Sequence, residues 1–295
     1  MRICIIIDDA SAYSSKRFSE EAARVGHELS FVSWKDLVFD GGKNTISTGR
    51  GTLLDSFDAA VLRSSVNSIT PLSLVAEYCK NKDVPLLNDR LYLRLQNTNK
   101  LRQQILFQTN DIPCLETFYG ERLAFPAVKK RLGVPFVAKI ANGSLGKQVF
   151  KIRSQKEFLR FTKTRERDRQ LYIFQKYYRI SGDYRVFIIG ENVFGPVKRT
   201  APKGEWRTNV WGAKHERAGN ETRVLALASS VGKKLDIDFA GIDILIDVSG
   251  QARVIEINTM AQFKVFENVF PEINVVGEIL KLLGKKGRGM RRSKV

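Results

Sequence analysis

The sequence predicts an α/β protein, an open and mostly parallel sheet followed by strand-rich α+β lobes, and three observations predict it. An apolar run, Ile3 to Ile7, is far too short for a secretory core and is closed by Asp8 and Asp9, as a buried strand would be. Strand-like and helix-like stretches alternate through the first third, the order that a parallel sheet with crossover helices requires. From Leu171 onward, short apolar strands separated by glycine-bearing turns dominate.

Taken in order, Ile3 to Ile7 is the first strand, Ser14 to Gly26 an amphipathic helix stopped by its glycine, and Glu28 to Ser33 the next strand. A polar, glycine-bearing stretch, Asp40 to Thr52, precedes a buried strand at Ala59 to Arg63 and a helix at Pro71 to Asn81 with proline in its first turn. Val84 to Asn88 closes this unit. Asp89 to Asn99 reads as polar and turn-rich, so a lobe boundary falls near Asn88 and a new helix begins at Lys100 and runs to Phe107. A short strand at Cys114 to Phe118 and a helix ending near Gly133 follow. The strand Val134 to Ile140 then enters a glycine-bearing turn, Ala141 to Lys147, and Gln148 to Ile152 leaves it as a second strand. Further strands are expected at Tyr172 to Tyr178, Tyr184 to Ile189 and Val193 to Lys198, with a helix from Glu221 to Leu235. The strand pair Gly241 to Asp247 and Ala252 to Ile257 completes the lobe, and Gly190 to Asn192 and Ser249 to Gln251 are its hairpin turns. The expected division is 1–88 for an N-terminal α/β lobe, 89–174 for a central lobe carrying the glycine loop, 175–283 for a C-terminal lobe, and 284–295 for a basic tail.

Composition excludes several classes. Three cysteines, widely spaced, write neither a disulfide framework nor a metal pair, and two histidines leave almost no material for a zinc site. Any metal should therefore be a hard ion on oxygen ligands. No segment approaches the roughly 20 apolar residues that cross a bilayer, so a cytoplasmic protein without membrane contact is expected. The 49 basic residues outnumber the 31 acidic ones by 18. Six of the excess lie in the segment 284–295, leaving +12 for the rest. As a charge run that segment is a disordered, solvated tail; a functional reading gives it contact with nucleic acid, ribosomes or an acidic peptide.

Three constellations carry chemistry. The loop Asn142 to Lys147 can cradle phosphates through its amides, yet it is no P-loop, because Gln148 follows Lys147 and a strand, not a helix, comes next. Lys139, on the strand that enters it, is placed to reach the same phosphates. Glu256 and Asn258 are two apart on one strand and point the same way, and Asp243 lies on the preceding strand where it can face them. Three oxygen ligands on one sheet face suit magnesium bound together with phosphates. The third set, Arg185, Lys198, Arg199, Lys203, Arg207 and Asn209, supplies the charge that a triphosphate or acyl phosphate demands.

In this order the features resemble the ATP-grasp superfamily, in the branch of the RimK-like carboxylate-amine ligases. The resemblance runs from the Ile3 strand to about Leu283. It rests on Lys100, Pro135 to Lys139, Gln175 to Tyr177 with Asp183 to Arg185, Arg207 to Asn209, and the Asp243, Glu256, Asn258 set. It implies an N-terminal Rossmann-like lobe followed by two α+β lobes that clamp ATP. Lys100 and Lys139 would contact phosphates, with Gly143, Ser144 and Gly146 folding over them. Gln175, Lys176 and Tyr177 would line the adenine cleft, Asp183 would hold the ribose, and Thr208 would sit beside the nucleotide. Arg185, Arg199, Arg207 and Asn209 would neutralise the γ-phosphate and the acyl phosphate, and Asp243, Glu256 and Asn258 would bind two magnesium ions, with manganese as a substitute. The implied reaction activates a carboxylate as its acyl phosphate and lets an amine displace phosphate. An amino acid such as glutamate and an acidic acceptor, a protein tail or a small molecule, are the expected partners, with Arg63 reading carboxylate and a homo-oligomer as the expected assembly. The chain departs from the branch in Lys176, where glutamate is usual, in Lys147-Gln148, where a further glycine is usual, and in Thr259 to Gln262, where the branch reads Ala-Ser-Pro-Gly. Lys176 and the Thr259 to Gln262 change support a rival reading, an ATP-binding protein that ligates nothing. The charge supports another, a nucleic-acid or ribosome-binding protein acting through its basic surface and tail.

Overall fold

The computed structural model describes residues 1–63, 69–95, 99–141, 148–167 and 170–292, so Gly143, Ser144 and Gly146 lie outside the described residues. Strand β1 (Arg2–Ile7) is apolar beyond Arg2 because both its faces are covered. Ile3, Ile5 and Ile7 enter one core, Cys4 and Ile6 another. Helix α1 (Tyr13–Arg24) lies on the first face and returns the chain to β2 (Glu28–Ser33), parallel to β1. The polar stretch that follows contains a hairpin, β3 (Leu37–Asp40) with β4 (Thr45–Thr48), which buries Ile46 in the second core. Strand β5 (Ala59–Arg63) pairs parallel with the other edge of β1, giving the order β2-β1-β5, and α2 (Ile69–Asn81) covers the second face.

Asp89 to Asn99 corrects the turn-rich expectation. It holds helix α3 (Asp89–Leu95), which buries Leu91 and Tyr92 and turns Arg90 to solvent, so its polar residues mark an exposed side and not a loop. Helix α4 (Lys100–Thr109) starts where Asn99 accepts the backbone N–H groups of Leu101 and Arg102, satisfying donors that a first helical turn leaves orphaned. The second sheet comprises β6 (Thr117–Phe118), β7 (Phe136–Ile140), β8 (Val149–Ile152) and β9 (Tyr172–Lys176), in the order β6-β9-β7-β8. Helices α5 (Phe125–Leu132) and α6 (Gln155–Arg167) cover one of its faces with Val128, Leu132, Phe158 and Phe161.

The third sheet is antiparallel: β10 (Asp183–Ile189), β11 (Asn192–Thr200), β12 (Lys214–Arg217), β13 (Phe239–Ile246) and β14 (Ala252–Asn258), in the order β12-β11-β10-β13-β14. Helix α7 (Thr222–Leu235) packs on one face against Val186, Ile188, Ile242 and Ile244. Along the opposite face of β10, Phe187 and Ile189 lie under helices α8 (Lys264–Val269) and α9 (Val275–Arg292), whereas Asp183 and Arg185 extend beyond them. Phe266, Val275, Val276, Ile279, Leu280 and Leu283 join Ile3, Ile5 and Ile7 in one core, so the first and last lobes are packed as a unit. Helix α9 also corrects the tail: the helix continues through the basic segment to Arg292, and Lys286 within it bonds Asp238 at 2.5 Å and Asp89 at 3.0 Å.

Asn88 joins the lobes. Buried and held at φ +58°, it receives N–H groups of Asp238 and Phe239 on Oδ1, each at 3.0 Å, and donates Nδ2 to the Phe239 carbonyl at 2.6 Å. Asn88→Ala removes these bonds and leaves buried backbone groups unpaired, for an expected loss of about 3 kcal/mol. Urea denaturation measures it, and a loss under about 1 kcal/mol would contradict the role given to this side chain.

Candidate functional site

The second and third sheets face each other across a cleft whose empty space, open mouth included, is about 970 Å³. Alternation puts the right side chains there. On β7, Ala138 and Phe136 turn to the core under α5 and α6 while Val137 and Lys139 face the cleft; on β9, Phe174 turns in and Gln175 faces out. On the other wall register aligns the charges. Asp243 of β13 is directly opposite both Arg185 of β10 and Glu256 of β14, Asp183 is opposite Arg199, and Asn258 is opposite Gly241. Directly opposed residues share a face, so one face gathers Asp183, Arg185, Arg199, Asp243, Glu256 and Asn258 while the other is apolar under α7.

Gly241 makes room for this. A Cβ there would lie 2.7 Å from that of Ala261 and 3.1 Å from Cδ of Arg185, so only glycine lets the Arg185 side chain lie across β13. Arg185 grips Asp243 with Nε and with Nη2, the latter at 2.8 Å. Arg199 bonds Asp183 at 2.7 and 2.8 Å and reaches Asp243 at 3.0 Å. Burial alone would raise the Asp243 pKa, but Arg185 and Arg199 outweigh it and hold the carboxyl below its usual range. Burial likewise opposes the charge of Arg199, and Asp243 and Asp183 reverse that, raising its pKa. Lys139 has weaker support: burial pushes it down to about 8, with Glu256 opposing.

Lys100, at the start of α4, stands 3.7 Å from Glu256. Its helix is fixed by Gln103, one turn on, whose carboxamide accepts the N–H of Ile257 at 2.9 Å and donates to its carbonyl at 3.0 Å. This pairs the open edge of β14 and sets Glu256 and Asn258 on either side of Ile257. Thr208 donates to Asp183 at 2.7 Å, so the carboxylate expected at a ribose already serves Arg199 and Thr208. Arg207 pairs with Glu205 at 2.6 Å; hydrogen bonds from Arg207 bring Glu205 down to about 2. Tyr177 and Trp206 meet edge to face at 5.8 Å on the cleft wall with Lys151 Nζ 3.9 Å from the Tyr177 ring centre, and Asn209 lines the cleft beside them. Lys176 bonds Glu116 at 2.6 Å, so a carboxylate stands next to the departure from glutamate. Arg63 lies apart from this wall. Both its terminal nitrogens donate to the Ala261 carbonyl at 3.2 Å, under Phe263, and burial lowers its pKa to about 10. Gln103, Glu205 and Trp206 were not among the expected site residues. The spacing of Gln103 one turn after Lys100 was the available signal for the first.

The residues present fit a magnesium nucleotide. Asp243, Glu256 and Asn258 are all-oxygen donors from adjacent register positions, Lys100 and Lys139 flank them, and Oε1 of Gln175 is a buried acceptor without a partner among the described residues, facing the cleft. Two sheets closing on such a cleft, with cations on both walls and carboxylates on one, define an ATP-grasp carboxylate-amine ligase. The chain belongs to the RimK-like ATP-grasp domain family, whose model matches residues 99–283. It is 26% identical over 300 residues to the "Probable alpha-L-glutamate ligase" of Legionella pneumophila strain Corby, covering 98% of this chain and 97% of that one. Its fold is that of the RimK domain ATP-grasp protein from Sphaerobacter thermophilus (TM-score 0.73, 18% identity, covering 96% and 99% of the two chains). It is equally that of the ATP-grasp ligase PsnB complexed with a minimal precursor (TM-score 0.73, 17% identity, 96% and 98%).

Arg199→Ala leaves Asp183 without its bidentate partner and Asp243 with Arg185 alone, an expected loss of about 3–5 kcal/mol at neutral pH. Because the folded pKa of Asp243 is depressed, the pairing contributes above the ordinary Asp value of about 4 and is lost as pH falls through the folded pKa. The difference between variant and parent should therefore shrink on acidification. Equal differences in urea unfolding at pH 7 and pH 3 would refute this account.

Proposed function

We propose that the cleft binds ATP with two magnesium ions, manganese serving as a substitute, and joins the carboxylate of an acidic acceptor to the amine of an amino acid. The register opposition of Asp243 and Glu256, with Asn258 beside them and Lys100 and Lys139 close by, carries the reading. Asp243, Glu256 and Asn258 would hold the metal, which supplies charge neutralisation at the phosphates. Lys100, Lys139, Arg185 and Arg199 bind and orient the β- and γ-phosphates, Arg207 and Asn209 the transferring group at the mouth, and Gln175, Lys176 and Tyr177 the base. An acceptor carboxylate oxygen attacks the γ-phosphorus and releases ADP. The amine nitrogen then attacks the acyl carbon, and phosphate leaves with the C–O electron pair. No side-chain nucleophile is called for, and the cations hold charge that appears only in the transition state.

The name of the Legionella relative supports glutamate as a substrate, and the complex of PsnB with the precursor peptide PsnA2 supports a peptide acceptor. The Thr259 to Gln262 turn, held through Ala261 by Arg63, is the region we assign to acceptor choice.

Glu256→Gln should abolish magnesium-dependent ADP release, by about 100-fold or more, with only a small fall in unfolding midpoint from the loss of its contact with Lys100. Phosphate release screened over glutamate and acidic peptides should show stimulation by one pair. Full turnover in Glu256→Gln would remove the metal assignment. Tight ATP binding with no stimulating pair would favour the non-ligating reading.

A further inference from the structure

The excess positive charge is unevenly distributed, and the cleft does not account for it. Residues 1–98 carry 12 basic and 12 acidic groups, and residues 171–283 carry 15 and 13. Residues 99–170 carry 16 basic against 6 acidic, so a quarter of the chain holds more than half of the excess. Of the cations there, Lys100, Lys139 and Lys151 face the cleft or its rim. Most of the others described lie on α5 and α6, the layer behind the second sheet. Their apolar faces, Val128 and Leu132 with Phe158 and Phe161, pack on the side of the sheet opposite Lys139. Their outer faces present Lys129, Lys130, Arg131, Lys156, Arg160 and Lys163, all exposed.

These cations are poorly compensated. The two helices carry two carboxylates, Glu157 and Glu166, against eight cations; Glu157 accepts the backbone N–H of Arg153 at 2.6 Å and lies 3.9 Å from its guanidinium. Among the described residues no ion pair is made by Lys129, Lys130, Lys156, Arg160 or Lys163. Like charges at this density repel unless a polyanion neutralises them. Lys156, Arg160 and Lys163 follow i, i+4, i+7, which puts them in one row about 6 and 4.5 Å apart along the axis, on the few-ångström scale of successive backbone phosphates. A row of cations at this spacing suits a regularly repeating charge, as a phosphodiester backbone presents.

We propose that the outer face of α5 and α6 binds the phosphodiester backbone of nucleic acid, without reading bases, and leaves the nucleotide cleft open on the other side of the same sheet. The binding is electrostatic and is lost as salt rises, because each neutralised phosphate releases counterions. It is independent of the ligase reading.

The test is fluorescence anisotropy with a labelled 20-nucleotide RNA and a 20-base-pair DNA duplex, across a salt series and in saturating ATP. A variant with Lys129, Lys130, Lys156, Arg160 and Lys163 changed to Glu should bind both at least about 100-fold more weakly, with a slope of log affinity against log salt flatter by about 3 or more. Its unfolding midpoint and ATP turnover should match the parent. If charge reversal impairs folding, the same five positions changed to Gln provide the comparison. Glu256→Gln should bind nucleic acid as the parent does, which separates this proposal from the ligase reading. Undiminished binding by the five-site variant overturns the proposal. So does parent binding to polyglutamate of matched length, or to anionic lipid vesicles, that equals its binding to nucleic acid.

Discussion

The bond of Arg199 to Asp183 and Asp243 is what allows a sheet face lined with charge to be buried. At the cleft Asp183, Asp243 and Glu256 meet Lys100, Lys139, Arg185 and Arg199, and each buried acid has a guanidinium in contact. Isolated, any of them would be strongly disfavoured in such surroundings; as a network they are held and oriented. Under the proposed function, a magnesium triphosphate would bring both signs of charge, so the arginines would move to phosphate and the carboxylates to metal with each charge still compensated.

Two carboxamides fix the hairpin that carries this chemistry. Asn88 pairs with the backbone of Phe239 at the start of β13, and Gln103 pairs in the same two-bond fashion with Ile257 near the end of β14. Along the chain Asp243 and Glu256 lie between the two clamped residues, and in the ladder they are the pair next to Ile242 and Ile257. Because β14 is an edge strand, the Gln103 amide also occupies groups that would otherwise be open to another strand. Both clamps come from the segments that link the first lobe to the second, so the position of the hairpin is tied to the path of the chain into the central lobe.

The strands around the cleft were legible because alternation in β7, β13 and β14 separates apolar from polar faces, and a charged residue on an otherwise buried strand announces a site. The clamps were not, since Asn88 and Gln103 find their partners about 150 residues away and carry no local pattern. Nor could spacing show that Glu205 would take up Arg207. Helix α3 was hidden because polar residues cover its exposed side. The end of α9 was hidden because Gly284, Gly287 and Gly289 lower helix propensity, which packing overrides: Gly287 approaches Pro85, and Lys286 finds two carboxylates.

The shared core of the first and last lobes has a consequence for biosynthesis. The ribosome releases β1 well before the segments that cover it, because Ile3, Ile5 and Ile7 share a core with side chains as distant in sequence as Leu283. The β2-β1-β5 sheet therefore waits, with one apolar face incompletely covered, until α8 and α9 have emerged. The second lobe has a self-contained core under α5 and α6 and can condense in the meantime. Order of synthesis and order of folding are thus partly inverted in this protein, and a chaperone that shields the β1 face during elongation would act on the step at which the nascent chain is most exposed to aggregation.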